Sequence, residues 1–284
     1  MATIEITYKQ IRDLFSKPRA RSANKGDFGH VLVIAGSKGM AGAAILCAQG
    51  ALRAGAGLVT VSVPDELFPI IQTAVPEALC TGRQRISFYP EQLAVYDSIA
   101  IGPGLGASRK TWELVMHILE NYGGKIVLDA DALNVIAGTN VTLDIDTVIT
   151  PHPGEAARLI GAPVETVQSR REASVAVLAE KFGCTVALKG SGTLVATTNP
   201  NLEIHMNITG NPGMATGGSG DVLAGVIAAF LGQGMSAQDA ACAGVYMHGF
   251  AGDLMANEYG EAGLLAGDLP LGVARAIKYI SGTP

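Results

Sequence analysis

The chain has 284 residues, of which 48% are hydrophobic and 16% charged, so its composition excludes a disordered protein and indicates a large buried core. Its formal net charge of -5 argues against a nucleic-acid partner, because binding through phosphates requires a basic face. The start of the chain shows no signal peptide and no apolar run is long enough to cross a bilayer, so we expect a cytoplasmic protein that does not bind membranes.

The first predicted elements form an alternating series of strands and helices. Residues 1–25, which include Arg19, Arg21 and Lys25, are polar and basic, and we expect them to form a mobile extension. The predicted strands are nearly all apolar, as strands buried on both faces are, and they cover 30–36, 57–63, 98–102, 125–130, 147–150 and 185–190. Predicted helices lie between them at 42–55, 108–123 and 164–183. This alternation predicts an α/β fold with a mostly parallel sheet covered by helices.

The pattern changes after residue 190. Two short predicted strands, 193–197 and 202–207, are separated by a turn signal at 198–201, which indicates an antiparallel meander at one edge of the sheet. Two further helices are predicted at 221–234 and 237–260. Because the sequence contains neither a repeat nor a linker, we expect a single domain over residues 1–284.

The four cysteines lie in apolar surroundings and form no C-x-x-C pair; they are Cys47, Cys80, Cys184 and Cys242. This pattern favours reduced core thiols in a cytoplasmic protein over the alternatives, which are disulfides or a zinc site.

Glycine-rich turns follow or adjoin the predicted strands, at 36–44, 102–108, 189–193 and 210–221. In an open α/β sheet, ligands bind at the carboxyl ends of the strands, where such turns expose backbone amides. The phosphate loop of the Walker type is absent, since Ile126 stands where Ser or Thr would follow the Gly-Lys pair. The spacing of the glycines in 36–44 also differs from the dinucleotide-binding pattern, which disfavours a Rossmann dehydrogenase.

The stretch NPGMATGGSGDVLAG, residues 211–225, places Asp221 at the start of an apolar helix directly after several glycines. The amides of a helix N-terminus attract anions, and glycines allow those amides to surround a phosphate. Asp221 therefore has two interpretations at this point. It is either an N-cap of the helix or a catalytic carboxylate beside an anion site.

Several motifs together resemble the NAD(P)H-hydrate dehydratases of the ribokinase-like superfamily. Besides 211–225, they are IGPGLG (101–106), LDADALN (128–134), TPHPGEAARL (150–159) and ALKGSGT (187–193). The similarity extends from about Lys25 to about Ile280. It implies a ribokinase-like three-layer α/β sandwich with a small antiparallel edge. No segment resembles the epimerase domain to which the dehydratase is often fused, so we expect the stand-alone form.

The resemblance also implies an activity. Members of this family repair hydrated NADH and NADPH: a nucleotide phosphorylates the hydroxyl group of the S epimer, and the phosphate then leaves as the ring double bond forms. The donor is ADP, giving AMP and phosphate, or ATP; we expect ADP because the compact, unfused chain resembles the prokaryotic enzymes. Mg²⁺ is the implied cofactor, and a homo-oligomer, specifically a homotetramer, is the implied assembly.

The resemblance makes Asp221 the base that accepts the hydroxyl proton. Because a helix N-terminus stabilises a carboxylate, we expect Asp221 to have a low pKa. The amides of Gly218, Ser219 and Gly220 would bind the transferring phosphoryl group, as an oxyanion hole does.

The family's nucleotide contact is implied for a second group of residues, namely Lys189, Gly190, Ser191, Gly192, Thr193 and Gly220. Asn211 and Thr216 are expected near the nucleotide as well. The alternative is that 189–193 is an ordinary hairpin turn with an exposed lysine.

The resemblance places Ala43, Gly106, Asp131 and His152, together with Asp221, at the hydrated nicotinamide substrate. Alternatives stay open for three of the polar residues. His152 is otherwise a structural or surface residue, and Asp131 with Asp129 otherwise caps the next helix. Glu155 is expected to act indirectly on magnesium, or else it is only a favourable charge in the first turn of a helix.

Two other functions compete with this interpretation. A kinase of the same superfamily would phosphorylate a small alcohol and release the product, and a non-catalytic protein would only bind the nucleotide. The motifs TPHPGE and DADALN favour the dehydratase over the kinase, and the presence of Asp221 argues against a simple binding protein.

Overall fold

The strands form one sheet in the part of the chain that the computed structural model describes, residues 3–83, 90–198 and 201–282. They are β1 (Thr3–Glu5), β2 (His30–Ile34), β3 (Leu58–Val63), β4 (Leu79–Gly82), β5 (Ser98–Ile101), β6 (Lys125–Leu128), β7 (Thr147–Ile149), β8 (Thr185–Leu188), β9 (Leu194–Thr197) and β10 (Glu203–Met206). Their order across the sheet is β1-β10-β9-β8-β7-β6-β5-β2-β3-β4. Strand β9 is antiparallel to β8 and β10, and the other neighbouring pairs are parallel.

The helices cover both faces of this sheet. They are α1 (Tyr8–Leu14), α2 (Ala41–Arg53), α3 (Phe68–Ala74), α4 (Pro90–Leu93), α5 (Arg109–Asn121), α6 (Asp131–Ile136), α7 (Pro153–Ile160), α8 (Val164–Ser169), α9 (Arg171–Phe182), α10 (Ser219–Gly232), α11 (Ala237–Tyr259) and α12 (Leu269–Ser281). Short 3₁₀ turns lie at Lys25–Phe28, Asp65–Leu67, Pro212–Met214, Glu261–Gly263 and Ala266–Asp268. One core contains α1–α3 and α10–α12, and the other contains α4–α9.

Successive residues of the central strands pack into opposite cores. In β2, Val31 and Val33 belong to the first core, whereas Leu32 and Ile34 belong to the second, and all four are fully buried. A strand that is covered on both faces needs apolar residues at every position. This explains why the predicted strands are unbroken apolar runs. All six are confirmed; each is a little shorter than predicted and has one end at the predicted residue.

The antiparallel meander is confirmed, but it does not form the outermost edge of the sheet. Strand β1 pairs in parallel with β10, and the Ile6 amide donates a hydrogen bond of 2.9 Å to the Met206 carbonyl. The N-terminal strand therefore covers the edge that the meander would otherwise expose. The turn predicted at 198–201 lies partly outside the described residues.

The prediction of a mobile N-terminal extension is wrong for Thr3–Leu14. Ile6, which follows β1, and Ile11, in α1, are both fully buried in the first core. Further along, the guanidinium of Arg19 lies 3.7 Å from the ring centre of Phe28 and donates a hydrogen bond to the Gly55 carbonyl. Burial of two isoleucines stabilises a segment by about 3 kcal/mol or more, which outweighs the polar composition around them.

The helix predicted over 164–183 is interrupted. Helix α8 ends at Ser169 and α9 begins at Arg171, because Arg170 has φ -132° and ψ 49°, outside the helical region. Val167 is the buried residue of α8, so little apolar packing aligns α8 with α9. Because of this interruption, Arg171 is the first residue of a new helix, α9.

No helix in the described ranges is long and apolar enough to span a membrane. Cys47, Cys184 and Cys242 are buried free thiols, and Cys80 is a partly exposed one.

Candidate active site

The predicted glycine-rich turns meet at the carboxyl ends of the parallel strands. The chain changes direction across the sheet between β5 and β2, which are adjacent, and such a point opens a crevice between the turns that follow the two strands. These turns contact each other, since the Gly36 amide donates a 2.8 Å hydrogen bond to the Pro103 carbonyl. A Cβ atom added to Gly104 would lie 2.9 Å from the Ala43 Cβ. The structure thus places Ala43 close to the turn that contains Gly106.

Helix α10 begins two residues earlier than predicted, so Asp221 is its third residue and not its N-cap. The N-cap is Gly218, in the left-handed conformation with φ 95°, and no side chain caps the helix. The N-cap alternative for Asp221 is therefore wrong. The Ser219 amide donates weakly to the Thr216 carbonyl at 3.3 Å, whereas the Gly220 amide, in the first turn, has no acceptor within the helix.

The low pKa predicted for Asp221 is also wrong. Its pKa is raised from 3.8 to about 7, first by burial and then by the negative charge of Asp129; the positive charge of Lys189 offsets this only in part. Removal of water and a neighbouring carboxylate outweigh the favourable helix terminus, whose effect is about 1 kcal/mol. No hydrogen bond to the Asp221 side chain occurs within the described residues.

Lys189 lies inside the site and is not an exposed turn lysine. Its Nζ donates a 2.5 Å hydrogen bond to Oδ1 of Asp129 and lies 3.8 Å from Oε2 of Glu155. Burial lowers the pKa of Lys189, but these two carboxylates outweigh burial, and the net pKa is raised. A Cβ added to Gly220 would be 3.3 Å from Nζ, so the lysine adjoins the start of α10.

Asp129 connects three strands at the centre of the site. It follows β6 and is 1% exposed, and its Oδ1 also accepts a 2.8 Å hydrogen bond from the Thr150 hydroxyl after β7. Its backbone oxygen approaches Gly102 so closely that a Cβ there would lie 1.8 Å away. The sequence identified Asp129 only as an alternative helix cap, because its contact with Lys189 depends on β6 and β8 lying on the two sides of β7 in the sheet.

His152 and Glu155 form a capping box at the start of α7. The Gly154 amide donates to Nδ1 of His152 at 3.0 Å, and the His152 amide donates to Oε2 of Glu155 at 2.8 Å. This assigns the proton to Nε2, which lies 3.3 Å from Oε1 of Glu155. Burial, with the charges of Lys189 and Arg158, lowers the pKa of His152, so its ring is neutral at pH 7. The structural alternative for both residues is thus present, and half of the His152 side chain remains exposed to a ligand.

Asp131 does not cap α6, whose N-cap is Ala130 without a side-chain bond. Its Oδ2 instead accepts a 2.7 Å hydrogen bond from the Gly106 amide, and Oδ1 accepts one of 3.3 Å from Asn134. The structure therefore joins two of the predicted substrate residues. Among the described non-glycine residues, Ala130 is the one with positive φ, at 49°, so the backbone between Asp129 and Asp131 is strained.

The turn Lys189–Thr193 connects β8 to β9 and does form a hairpin, with φ 143° at Gly190 and φ 63° at Gly192. The Lys189 amide donates to the Pro151 carbonyl at 2.8 Å, which links this turn to the one containing His152. Asn211 is occupied within the protein, because its side chain accepts from the Gly213 amide and donates to Asp253.

His248, a residue of α11 that contacts the start of α10, was not predicted from the sequence. Its Nε2 lies 2.9 Å from the Ser219 carbonyl, and burial lowers its pKa to about 4. The ring is therefore neutral at physiological pH and donates from Nε2 to that carbonyl. A lone histidine in an apolar helix carries no sequence signal of such a contact.

Comparisons with known proteins point to one family. The sequence model of the NAD(P)H-hydrate dehydratase family matches residues 31–271. The ADP-dependent (S)-NAD(P)H-hydrate dehydratase of Neisseria meningitidis is 40% identical over 261 residues, which cover 89% of this chain and 86% of that protein. The bifunctional NAD(P)H-hydrate repair enzyme Nnr of Coxiella burnetii is 43% identical over 264 residues, which cover 93% of this chain and 53% of that protein. The chain thus spans about half the length of the bifunctional relatives that it matches.

A solved structure agrees with these sequence matches. The ADP/ATP-dependent NAD(P)H-hydrate dehydratase from Bacillus subtilis, co-crystallized with ATP/Mg²⁺, superposes with a TM-score of 0.87. The two sequences are 31% identical, and the match covers 99% of each chain.

Proposed function

The chain belongs to the NAD(P)H-hydrate dehydratase family and has the ribokinase-like fold, and on this basis we propose that it dehydrates the S epimer of hydrated NADH and NADPH. The reaction makes it a carbon-oxygen lyase that consumes a nucleotide. ADP is favoured as the donor because the Neisseria relative is named ADP-dependent, while the Bacillus relative is named ADP/ATP-dependent. Conversion of ADP yields AMP and phosphate.

One observation carries the proposal most directly. The Asp221 carboxyl group, with a pKa of about 7, stands in the first turn of α10, a helix whose N-terminus no side chain caps. A carboxylate of this kind is a stronger base than an ordinary aspartate, and its proton affinity is matched to neutral pH. Uncapped amides next to it attract an anion.

In the proposed reaction, the hydroxyl oxygen of the hydrate attacks the terminal phosphoryl group of the nucleotide while Asp221 accepts the hydroxyl proton. The bond between that phosphorus and the nucleotide breaks, so ADP leaves as AMP. Phosphate then departs from the ring carbon with the electrons of the carbon-oxygen bond. A proton passes from the adjacent carbon to water, and the electrons of that carbon-hydrogen bond form the ring double bond.

The phosphoryl group would be stabilised by positive charge and amide donors at the start of α10. We assign the amides of Gly218, Ser219 and Gly220 to this group, with Ser219 turning from its weak bond to Thr216. The Lys189 ammonium, next to Gly220, supplies the positive charge. Positioning and charge of this kind are the main contributions of a protein to phosphoryl transfer.

The nucleotide itself would lie along the turn Lys189–Thr193, close to Gly220. The hydrated dinucleotide would occupy the crevice between the turns after β2 and β5, where Ala43 and Gly106 leave space. Asp131 and His152 supply polar contacts there, and the His152 ring extends half exposed from the start of α7. We retain Thr216 as a neighbour of the nucleotide, whereas the bonds of Asn211 within the protein favour a structural role.

Magnesium fits this site as a companion of the nucleotide. Within the described ranges, no group of three or more His, Cys, Asp or Glu side chains is arranged to hold a metal ion. Mg²⁺ commonly binds substrate phosphates and one or two carboxylates, and it would neutralise phosphate charge here. Glu155, which already accepts from the His152 amide, is the residue that we propose acts on it indirectly.

The proposal is tested by adding the chain to purified S-hydrate with Mg²⁺ and either ADP or ATP, and recording the absorbance of reduced nicotinamide. Recovery of the absorbance with AMP as the second product supports an ADP-dependent dehydratase. Consumption of nucleotide without recovery would identify a kinase instead, and no reaction with either nucleotide would contradict an enzymatic role.

Three further features remain proposals. We propose one domain over residues 1–284, since β1 and α12 at its two ends belong to the same fold. We propose a cytoplasmic location, in keeping with the free thiols. A homotetramer is proposed from the family resemblance, without binding of nucleic acid or membrane.

A further inference from the structure

The interruption between α8 and α9 brings Arg171 beneath the turn Lys189–Thr193. Its guanidinium donates hydrogen bonds to three backbone carbonyl oxygens, at 3.1 Å to Leu188, 3.3 Å to Lys189 and 3.2 Å to Gly192. The first two acceptors lie at the start of the turn and the third lies near its end. A single side chain thus connects both ends of the turn.

This contact determines which way the peptide group between Lys189 and Gly190 faces. The N–H and C=O of a trans peptide group point in opposite directions, so the Gly190 amide points away from Arg171 when the Lys189 carbonyl points toward it. The amides of Gly190, Ser191 and Gly192 donate no hydrogen bond within the described residues. The Gly190 amide is thus an unpaired donor on the side away from the guanidinium, and unpaired amides in a turn of this kind attract an anion.

The same contact fixes the backbone from which the Lys189 side chain extends. The Lys189 amide donates to the Pro151 carbonyl at 2.8 Å, and its own carbonyl accepts from Arg171 at 3.3 Å. Both peptide groups of Lys189 are therefore held. The Lys189 side chain therefore extends from a backbone that is held in place, and its Nζ contacts Asp129 and the start of α10.

We propose that Arg171 is a positioning residue for nucleotide binding, which holds the turn Lys189–Thr193 so that its open amides receive the phosphate chain of the nucleotide. The inference rests on the proposed function, because it assumes that a nucleoside diphosphate or triphosphate binds this turn. Arg171 itself does not contact the phosphate. It acts through the backbone, and its charge adds to the attraction for the anion.

The local geometry suits arginine specifically. The planar guanidinium presents several donors in a fixed fork, so Nη2 bonds Leu188 and Gly192 while Nη1 bonds Lys189; a lysine ammonium lacks this fork. The turn makes room for this group, because a Cβ added to Gly190 would lie 2.6 Å from Nη1 of Arg171. Gly190 also has φ 143°, which disfavours any side chain there.

The test measures the dissociation constant of ADP by titration calorimetry for the full chain and for three variants. Arg171→Met removes the fork, and Arg171→Lys keeps only the charge. Arg170→Met is the matched control, since Arg170 is exposed and outside the turn contacts. Loss of charge-assisted hydrogen bonds that shape the site is expected to weaken ADP binding by about tenfold or more in Arg171→Met, and by less in Arg171→Lys. Arg170→Met is expected to match the wild type within about twofold.

Steady-state kinetics separates positioning from a general structural role. The KM for ADP is expected to rise in the Arg171 variants, while the KM for the hydrate stays within about twofold of the wild type. If Arg171→Met does not fold, Arg171→Lys decides. Folded variants that bind ADP as the wild type does, or that lose affinity for ADP and hydrate equally, would overturn the inference. Failure of the proposed function is distinct: the wild type would then bind ADP but fail to dehydrate the hydrate.

Discussion

At Asp221, two effects on the carboxyl group oppose each other. The start of α10 favours the charged form, whereas burial and Asp129 favour the neutral form and raise the pKa to about 7. The residue type and its place in a helix are visible in the sequence. The balance between these two effects on the pKa is not visible there, because it depends on Asp129 and Glu155, which other parts of the fold bring close to Asp221.

The raised pKa predicts how activity depends on pH. Asp221 must be ionised to accept a proton, so kcat/KM for the hydrate should rise about tenfold per pH unit below pH 7 and level off above it. A profile of kcat/KM from pH 5 to 9 checks this. A plateau extending down to pH 5 would show that no group with a pKa near 7 is required.

The same group predicts a stability effect with a defined sign. Its pKa is higher in the folded state than the ordinary 3.8, so the stabilisation is fully present below about pH 4 and is lost as pH rises to about 7. Asp221→Asn, which cannot ionise, should therefore be more stable than the wild type at pH 8, by about 2 kcal/mol, and similar at pH 4. Urea unfolding at both pH values measures this, and equal differences at the two pH values would contradict it.

Ala130 is a second residue for which we predict a change in stability, because its backbone is strained. A φ of 49° with ψ -116° is strained for alanine but not for glycine. Ala130→Gly should raise the free energy of unfolding by about 1 kcal/mol. Ala132→Gly, at a buried helical position two residues later, is the control and should lower it by about as much or more. Destabilisation of equal size in both variants would show that Ala130 is not strained.

At the scale of elements, the first turn of α10 depends on one glycine. Gly218 has φ 95°, and a Cβ there would lie 2.4 Å from Cδ1 of Leu46 and 3.2 Å from the Ala266 Cβ. Gly218→Ala should lower the free energy of unfolding by about 1–3 kcal/mol, because alanine is strained there and displaces Leu46. It should also slow turnover, since the amides of the phosphoryl site move with it.

Gly217 provides the comparison for that variant. A Cβ at Gly217 would meet no atom within 4 Å, so Gly217→Ala should change the free energy of unfolding by less than about 0.5 kcal/mol. Thermal or urea unfolding of the two variants measures the difference. If both variants lose stability equally, the contacts around position 218 are not the reason that glycine is required there.

Strand β1 and helix α1 give the other prediction at this scale. Ile6 is fully buried, whereas Ile4, two residues earlier, is 47% exposed. Ile6→Ala should therefore cost about 2–4 kcal/mol and Ile4→Ala well under half of that. Equal small losses in urea unfolding would mean that the N-terminal segment adds little to the fold.

At the scale of the whole molecule, the sequence predicts the inner strands better than the outer ones. Strands such as β2 and β5 are covered on both faces and read as apolar runs. Strands β1 and β4 were not predicted, because each is short, lies at an edge of the sheet and exposes an apolar residue: Ile4 is 47% and Leu79 53% exposed.

The candidate active site was likewise predicted in part from the sequence. Glycine-rich turns and motifs predict which loops meet, because the carboxyl ends of parallel strands lie at one edge of the sheet. Contacts between distant residues, such as Lys189 with Asp129 and Arg171 with the turn Lys189–Thr193, depend on the order of the strands and on the interrupted helix. Local sequence carries no sign of either.

The most direct measurement combines turnover and binding for Asp221→Asn in one preparation. The wild type should restore reduced nicotinamide absorbance from the S-hydrate with Mg²⁺ and ADP, and the variant should do so at least about a thousandfold more slowly, because its side chain cannot accept the proton. ADP should bind the two proteins with similar affinity, since the amides and Lys189 are retained. A variant that keeps near wild-type turnover would contradict the account of Asp221 as the catalytic base.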